Sequence, residues 1–276
     1  MAQVIAICNQ KGGVGKTTTA ISLSASLAAA EKRTLLIDVD PQGNSGSGVG
    51  IDKYDVSQSI YHVLIGRAQI PVVIRKTEIP FLHVCPSNPD LVGAELELVG
   101  LVSRETRLKA GLRPVLDDYD YIIIDCPPSL GLLTLNALTA CHYVIIPVQA
   151  EYYAMEGLAD LQKTVHLVKG LLNPELEILG VLLTMFDSRN NLAHQVSDEL
   201  TKHFGEKVFR SVIPRNVRLS EAPSHGKPII LYDIKSPGAA RYLEFAQEVM
   251  TRVENVLSTI HFSDQEPIRE ECDATT

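Results

Sequence analysis

The sequence predicts an α/β fold, a mainly parallel, twisted sheet with helices on both faces. Three observations carry that expectation. Apolar runs of strand length alternate with helical patterns along most of the chain, as βαβ construction requires. The first run, residues 4–8, leads directly into a glycine-rich loop and then into an Ala/Leu/Ser-rich helical stretch at 18–30. Two later runs end in aspartates, one at Asp38 and Asp40, the other at Asp125. Carboxylates at strand C-termini lie on the edge where open α/β sheets bind ligands.

The elements follow in order. Val4-Ile5-Ala6-Ile7-Cys8 is apolar throughout, the pattern of a strand buried on both faces. Gly12, Gly13 and Gly15 let the backbone approach an anion closely. The N–H groups of the loop and of the helix after it then point at phosphate oxygens. In that setting Lys16 reaches the β and γ phosphates and the Thr17 hydroxyl ligates Mg²⁺. The plainer alternative is a glycine-rich turn with incidental lysines. Residues 34–40 form a second strand, and the Pro41-Gln42-Gly43 turn holds Asp40 rigidly. A strand-end aspartate that merely caps the turn is the alternative there. Residues 44–50 read as a loop, 56–64 as a short helix and 81–85 as a core strand with a structural His83. Leu91, Ala94, Leu98 and Leu101 place one or two helices in 90–116.

Tyr121-Ile122-Ile123-Ile124-Asp125 is a strand that delivers an aspartate at its end, a Walker B pattern. Such a residue holds Mg²⁺ opposite the phosphate loop, usually through water. Pro127 and Pro128 stop the strand. Further strands are expected at 142–148, 176–184 and 208–213. Helices are expected at 152–172, with Leu158, Leu161, Val165 and Val168 on one face, at 191–204 and at 238–257.

Composition narrows the function classes. The chain has 276 residues, of which 45% are hydrophobic and 21% charged, which is ordinary for a globular protein. One domain is expected over residues 1–260, with an acidic tail at 261–276. The five cysteines (Cys8, Cys85, Cys126, Cys141, Cys272) include no C-x-x-C pair, so no zinc site is expected. Cys8, Cys126 and Cys141 read as small core residues, and the expected compartment is the reducing cytoplasm. No apolar run approaches membrane-spanning length. The first strand begins too near Met1 for a signal peptide or a preceding helix-turn-helix module. The net charge of −8 argues against nucleic acid for the molecule as a whole. Half of that excess sits in 264–276, where five acidic residues face Arg269 alone, in a Pro-containing stretch expected to be disordered. Between 185 and 227, seven Lys/Arg stand against five Asp/Glu, which is either a basic face or an ordinary solvated surface.

The glycine loop departs from the standard phosphate-loop spacing. Gln10 stands where the first glycine belongs, and Lys11 adds a second lysine. The run Lys11-Gly12-Gly13-Val14-Gly15-Lys16-Thr17-Thr18 resembles the deviant Walker A loop of the ParA/MinD family of P-loop ATPases. Asp38-Val39-Asp40-Pro41-Gln42-Gly43 resembles its second motif. Pro214-Arg215-Asn216, with Glu221-Ala222-Pro223 after it, resembles its adenine-side loop. The resemblance spans about residues 4–257 and is greatest to the short chromosome-partitioning type, ParA (Soj).

That resemblance implies ATP and Mg²⁺ as cofactors. It implies nucleotide contacts from Lys11, Gly12, Gly13, Val14, Gly15, Lys16, Thr17, Thr18, Asp125, Pro214 and Asn216, and Mg²⁺ at Thr17, Asp40 and Asp125. Asp40 would position the attacking water, with Lys11 and Lys16 as the other catalytic groups and Lys11 reaching the nucleotide of a second chain. The ATP-bound homodimer would bind double-stranded DNA without sequence preference, through Arg189 and Arg218, and so associate with the nucleoid. A ParB-type centromere-binding protein would stimulate hydrolysis, and no membrane partner is implied. Three other readings remain. A MinD-like membrane ATPase needs a basic amphipathic helix at its C-terminus. A nitrogenase-iron-protein-like reductase would have only Cys85 and Cys126 to bridge a cluster between chains. A nucleotide-binding scaffold without hydrolysis has Asp40 against it.

Overall fold

The computed structural model describes residues 1–151 and 154–263. Seven strands make one sheet: β1 (Gln3–Ile7), β2 (Thr34–Asp38), β3 (Arg75–Lys76), β4 (Leu82–Cys85), β5 (Tyr121–Asp125), β6 (Tyr143–Gln149) and β7 (Glu177–Thr184). Their order is β3-β4-β2-β5-β1-β6-β7. All neighbours run parallel except β3, which is antiparallel to β4. The helices are α1 (Lys16–Ala29), α2 (Asn44–Ser47), α3 (Ile60–Leu64), α4 (Ile70–Val73), α5 (Leu91–Val99), α6 (Arg107–Leu112), α7 (Leu132–Ala140), α8 (Ala154–Leu171), α9 (Asn191–Phe204), α10 (Val217–Glu221), α11 (Ile229–Tyr232) and α12 (Pro237–Ser263).

The central strands read as unbroken apolar runs because both faces of the sheet are covered. Val4, Ala6, Leu35, Ile37, Ile122 and Ile124 pack on one side, against α3, α5, α6, α7 and α8. Ile5, Ile7, Leu36, Tyr121 and Ile123 pack on the other, against α1 and α12. Successive residues thus alternate between two cores with the period of a strand. α1 lies between the sheet and α12, so nearly all its residues are buried and its small Ala and Ser side chains allow that close fit. Fully buried Leu23 and Leu27 each contribute about 2–3 kcal/mol to holding it there. The chain places α1 on one face and α3, α5, α6 and α7 on the other. This opens a crevice at the C-terminal end of β1, the usual ligand position in such sheets.

Several expectations need correction. Residues 208–213 do not form a strand. One isolated bridge, Val181 with Val208, and two backbone hydrogen bonds, from Phe209 N to Val181 O and from Ile213 N to Leu183 O at 2.9 Å each, join it to β7, with a second isolated bridge just beyond, at Phe186 with Pro214. The reason lies in α12, because Glu248 accepts from Arg210 N and Ser211 N at 2.9 Å each and so takes donors a ladder would use. Arg252 similarly binds the Val208 carbonyl at 2.8 Å. Residues 44–50 include the short helix α2, and the run after Pro214 includes α10, both expected as loops. The final helix runs Pro237–Ser263, longer at its C-terminal end than the expected 238–257. Tyr152, Tyr153 and the tail at 264–276 lie outside the described residues. Cys85 and Cys126 are fully buried, so neither thiol reaches a surface from which it could bridge to another chain.

Candidate nucleotide site

The glycine loop is braced from both sides. The buried Asn9 amide donates to Pro147 O at 2.7 Å, and its oxygen accepts from Lys11 N at 2.9 Å. From β7, the Thr184 hydroxyl donates to Val14 O at 2.8 Å. Between these anchors Gly13 and Gly15 take φ of 75° and 86°, where a side chain would be strained. Gly12 needs no such conformation. A Cβ on Gly12 would meet nothing within 4 Å, so its contribution is open space for a ligand, not backbone freedom. Gly15 caps α1 without any side-chain hydrogen bond, which leaves the first-turn N–H groups for an anion.

The two loop lysines are placed differently. Lys16 is only 6% exposed, and its Nζ donates back to Lys11 O at 3.1 Å. Burial lowers its pKa, and the nearby Asp125 opposes that shift. Lys11 is half-exposed and donates to Glu151 just beyond β6 at 2.6 Å.

Facing the loop is a cluster of carboxylates made by strand register. β5 pairs with β2 so that Asp125 stands beside Asp38, and with β1 so that Asp125 stands beside Ile7. Asp38 is fully buried and accepts from Asp40 N, Ser45 N and Gly46 N at 3.1, 2.8 and 3.1 Å. Asp125 Oδ2 accepts from the Ser45 hydroxyl at 2.7 Å. Its Oδ1 is buried and has no hydrogen-bond partner. Burial pushes Asp38 well above the usual carboxylate range, reinforced by the Asp125 charge. Burial also raises Asp125 to about 6, against the opposing pull of the Ser45 and Thr17 hydroxyls. Asp40 is half-buried, and its Oδ1 accepts from Gln42 N at 2.9 Å. Both strand-end aspartates therefore cap local backbone. Asp38 makes three such bonds, whereas Asp40 makes one, through a single oxygen. An orphaned, buried carboxylate oxygen beside Thr17 and Lys16 fits a hard, oxygen-preferring cation such as Mg²⁺.

A pocket of about 480 Å³, counting its open mouth, continues from the loop and is lined by Gly15, Thr18, Thr184, Met185, Pro214, Asn216 and Tyr242 among others. Two chain segments form its wall: Phe186 N donates to Ile213 O at 3.0 Å and Arg215 N to Phe186 O at 3.1 Å. Met185 sits at φ 50°, an unusual conformation for a non-glycine residue, on the pocket wall. The Asn216 oxygen accepts from Arg218 N at 2.8 Å and caps α10, which leaves the amide N–H₂ as a donor at the pocket wall. Tyr242 of α12 shares a 3.1 Å hydrogen bond with Thr19 of α1, locking the far wall to the phosphate-loop helix.

A model of the AAA domain family (AAA_31) matches residues 2–178. The sporulation initiation inhibitor protein Soj of Bacillus subtilis is 60% identical over 249 residues, covering 90% of this chain and 98% of the relative. The chromosome partitioning protein ParA of Myxococcus xanthus is 59% identical over 252 residues, covering 91% and 89%. The chain belongs to the ParA/Soj family of chromosome-partitioning P-loop ATPases. The fold agrees. The cobyrinic acid a,c-diamide synthase of Mycobacterium smegmatis, solved with ADP and magnesium, superposes with a TM-score of 0.82 at 37% identity, covering 93% of this chain and 97% of that one.

Arg189 and Arg218 lie outside the pocket. Arg189, 88% exposed, forms a two-pronged pair with Asp187 at 2.9 and 2.8 Å. That fork holds the Asp187 carboxyl down at about 2. Arg218 pairs with Glu221 at 2.9 Å and with Asp233 at 3.5 Å. Asn9, Ser45, Thr184, Met185 and Tyr242 join the site without any motif to announce them. Asn9, Ser45, Thr184 and Tyr242 are each placed by a hydrogen bond to a distant segment. No helix among the described residues is long and apolar enough to cross a membrane.

Proposed function

We propose that this ATPase is an ATP-driven dimer switch for partitioning chromosomes or plasmids, built as one unit over residues 1–260. The observation that carries the reading is the division of labour between the two loop lysines. Lys16 is buried in its own loop, whereas Lys11 turns outward to Glu151, which supports a role in which it would exchange that carboxylate for the phosphates of a second chain's ATP. Two lysines on one γ-phosphate offset the charge that grows during phosphoryl transfer. The backbone from Gly12 to Thr18 cradles the phosphates, and Asp40 orients the attacking water. Thr17 would hold Mg²⁺, with Asp125 and Asp40 acting through water, and the ion would neutralise charge shared by the β and γ phosphates. The Pro214 backbone and the Asn216 amide take the adenine edge.

The ATP dimer binds double-stranded DNA without sequence preference, and so works on the nucleoid in the cytoplasm. Arg189 and Arg218 supply phosphate contacts. Each is neutralised by a neighbouring carboxylate in a single chain, so affinity becomes useful only when two copies act together, because phosphate contacts set affinity through counterion release. A ParB-type centromere-binding protein stimulates hydrolysis and resets the switch.

The test uses the Asp40→Ala protein. Loss of the water-orienting carboxylate should slow turnover by about 10²–10⁴-fold and leave ATP binding intact. Sizing with ATP should then show a dimer, and binding to two unrelated duplexes should be tight with ATP and weak with ADP or no nucleotide. A monomer with ATP, or equally tight DNA binding without it, would overturn the switch.

A further inference from the structure

We propose that Ser45 is a positioning residue for the metal site, acting through Asp125; the proposal rests on the reading of Asp125 as an Mg²⁺-side ligand. Ser45 is fully buried in the short helix α2, after the turn that carries Asp40. Its hydroxyl donates to Asp125 Oδ2 at 2.7 Å across 80 residues of sequence. The same residue's backbone N–H donates to Asp38 Oδ2 at 2.8 Å. Ser45 is thus the one residue among those described that hydrogen-bonds to both buried strand-end carboxylates.

The consequence is orientational. A carboxylate at a strand end rotates about its last torsion unless one oxygen is held. Ser45 holds Oδ2, which leaves the buried Oδ1, without a hydrogen-bond partner, as the oxygen of Asp125 best placed to take another group. Asp38 is the poorer candidate, because both its oxygens already accept from backbone N–H groups. The geometry therefore assigns one aspartate to hold the loop and the other to face the metal. The Ser45 hydroxyl keeps the two from exchanging roles. Groups that orient metal ligands in this way typically contribute about 10–100-fold to metal affinity when removed.

The experiment measures a fluorescent ADP analogue binding to the full chain, with excess Mg²⁺ and with EDTA, so that neither turnover nor dimer formation enters. In the wild type Mg²⁺ tightens binding. Ser45→Ala and Ser45→Cys should each lose about tenfold of that Mg²⁺-dependent gain while their affinity in EDTA stays at the wild-type level. Ser45→Thr, which keeps the hydroxyl, should recover the gain. Cysteine matches serine in shape but is a weak donor, so it separates hydrogen bonding from packing and serves if the alanine variant folds poorly. A cysteine variant with the full Mg²⁺ gain, or equal losses in EDTA and Mg²⁺, would overturn the role of Ser45. Loss of the gain in Asp125→Asn with none in the Ser45 variants would reject Ser45 and leave the metal-site reading standing. No Mg²⁺ gain in the wild type would reject both.

Discussion

Two groups of charges in this protein are built by opposite rules. Around the strand ends, Asp38, Asp125 and Lys16 are buried: Asp38 and Lys16 bond to backbone groups two to eight residues away, and Asp125 to Ser45, 80 residues away. Register brings Asp125 beside Asp38, and one of its oxygens is left without a bond. Along residues 187–221 the charges are exposed, and most find partners two or three residues away, as Arg189 does with Asp187 and Arg218 with Glu221. Burial removes the water that would otherwise satisfy a leftover oxygen, so unmet valence at the first group is a standing demand for a ligand. Exposed pairs contribute about 0–1 kcal/mol each, so the second group can give up its carboxylates at little cost, as the proposed DNA contacts require. One site is committed in advance, and the other is switchable.

The sharpest way to break the comparison is Lys16→Ala. No other cation is buried in the loop, so ATP affinity should fall by at least about a hundredfold, the worth of two charge-assisted hydrogen bonds. Calorimetry showing wild-type affinity would mean that the loop is not the phosphate site.

A second test reads the cost of the buried pair directly. The folded Asp125 carboxyl titrates at about 6, pushed up chiefly by burial, against an unfolded value of about 3.9. A raised folded pKa means that the folded protein binds the proton more tightly. The cost of ionising Asp125 is absent below about pH 4, grows through the window up to 6 and is complete above it. Asp125→Asn removes that cost. The nucleotide-free variant should gain up to about 3 kcal/mol over wild type at pH 8 and almost nothing at pH 4. Thermal melts at both values decide it, and equal shifts at the two would show that packing, not charge, is responsible.

The smallest expected effects lie on the exposed side. Asp187→Asn releases Arg189 and should tighten DNA binding by the ATP dimer by about two- to fivefold at low salt. Arg189→Ala should weaken binding equally for unrelated duplexes and lower the log–log salt slope by about 1 for each DNA phosphate left without its arginine. If Asp187→Asn leaves affinity unchanged while Arg189→Ala lowers it, the pair is broken in the complex at no measurable cost. If neither changes it, the DNA-binding groups are elsewhere.

By itself the sequence determined the α/β class, the central strands, the glycine loop and the strand-end aspartates. The features behind them are local. An apolar run specifies a strand buried on both faces, and Gly13 and Gly15 specify a loop whose backbone no other residue tolerates without strain. The departure at Gln10 and the extra lysine at Lys11 by themselves point to the ParA/MinD family. Only the tertiary structure decided which aspartate is spent on backbone, which oxygen is left over, and which distant residues brace the loop. Ser45, Asn9, Thr184 and Tyr242 carry no signal in their own neighbourhoods, because their partners lie on other strands and helices. The segment 208–213 shows the same limit from the other side. Its β-branched, apolar sequence favours a strand, yet Glu248 on α12 takes two of its donors. A backbone or carboxylate group bonds to whatever packing places beside it, and that choice is made by the register of β2 on β5 and the course of α12 over the sheet.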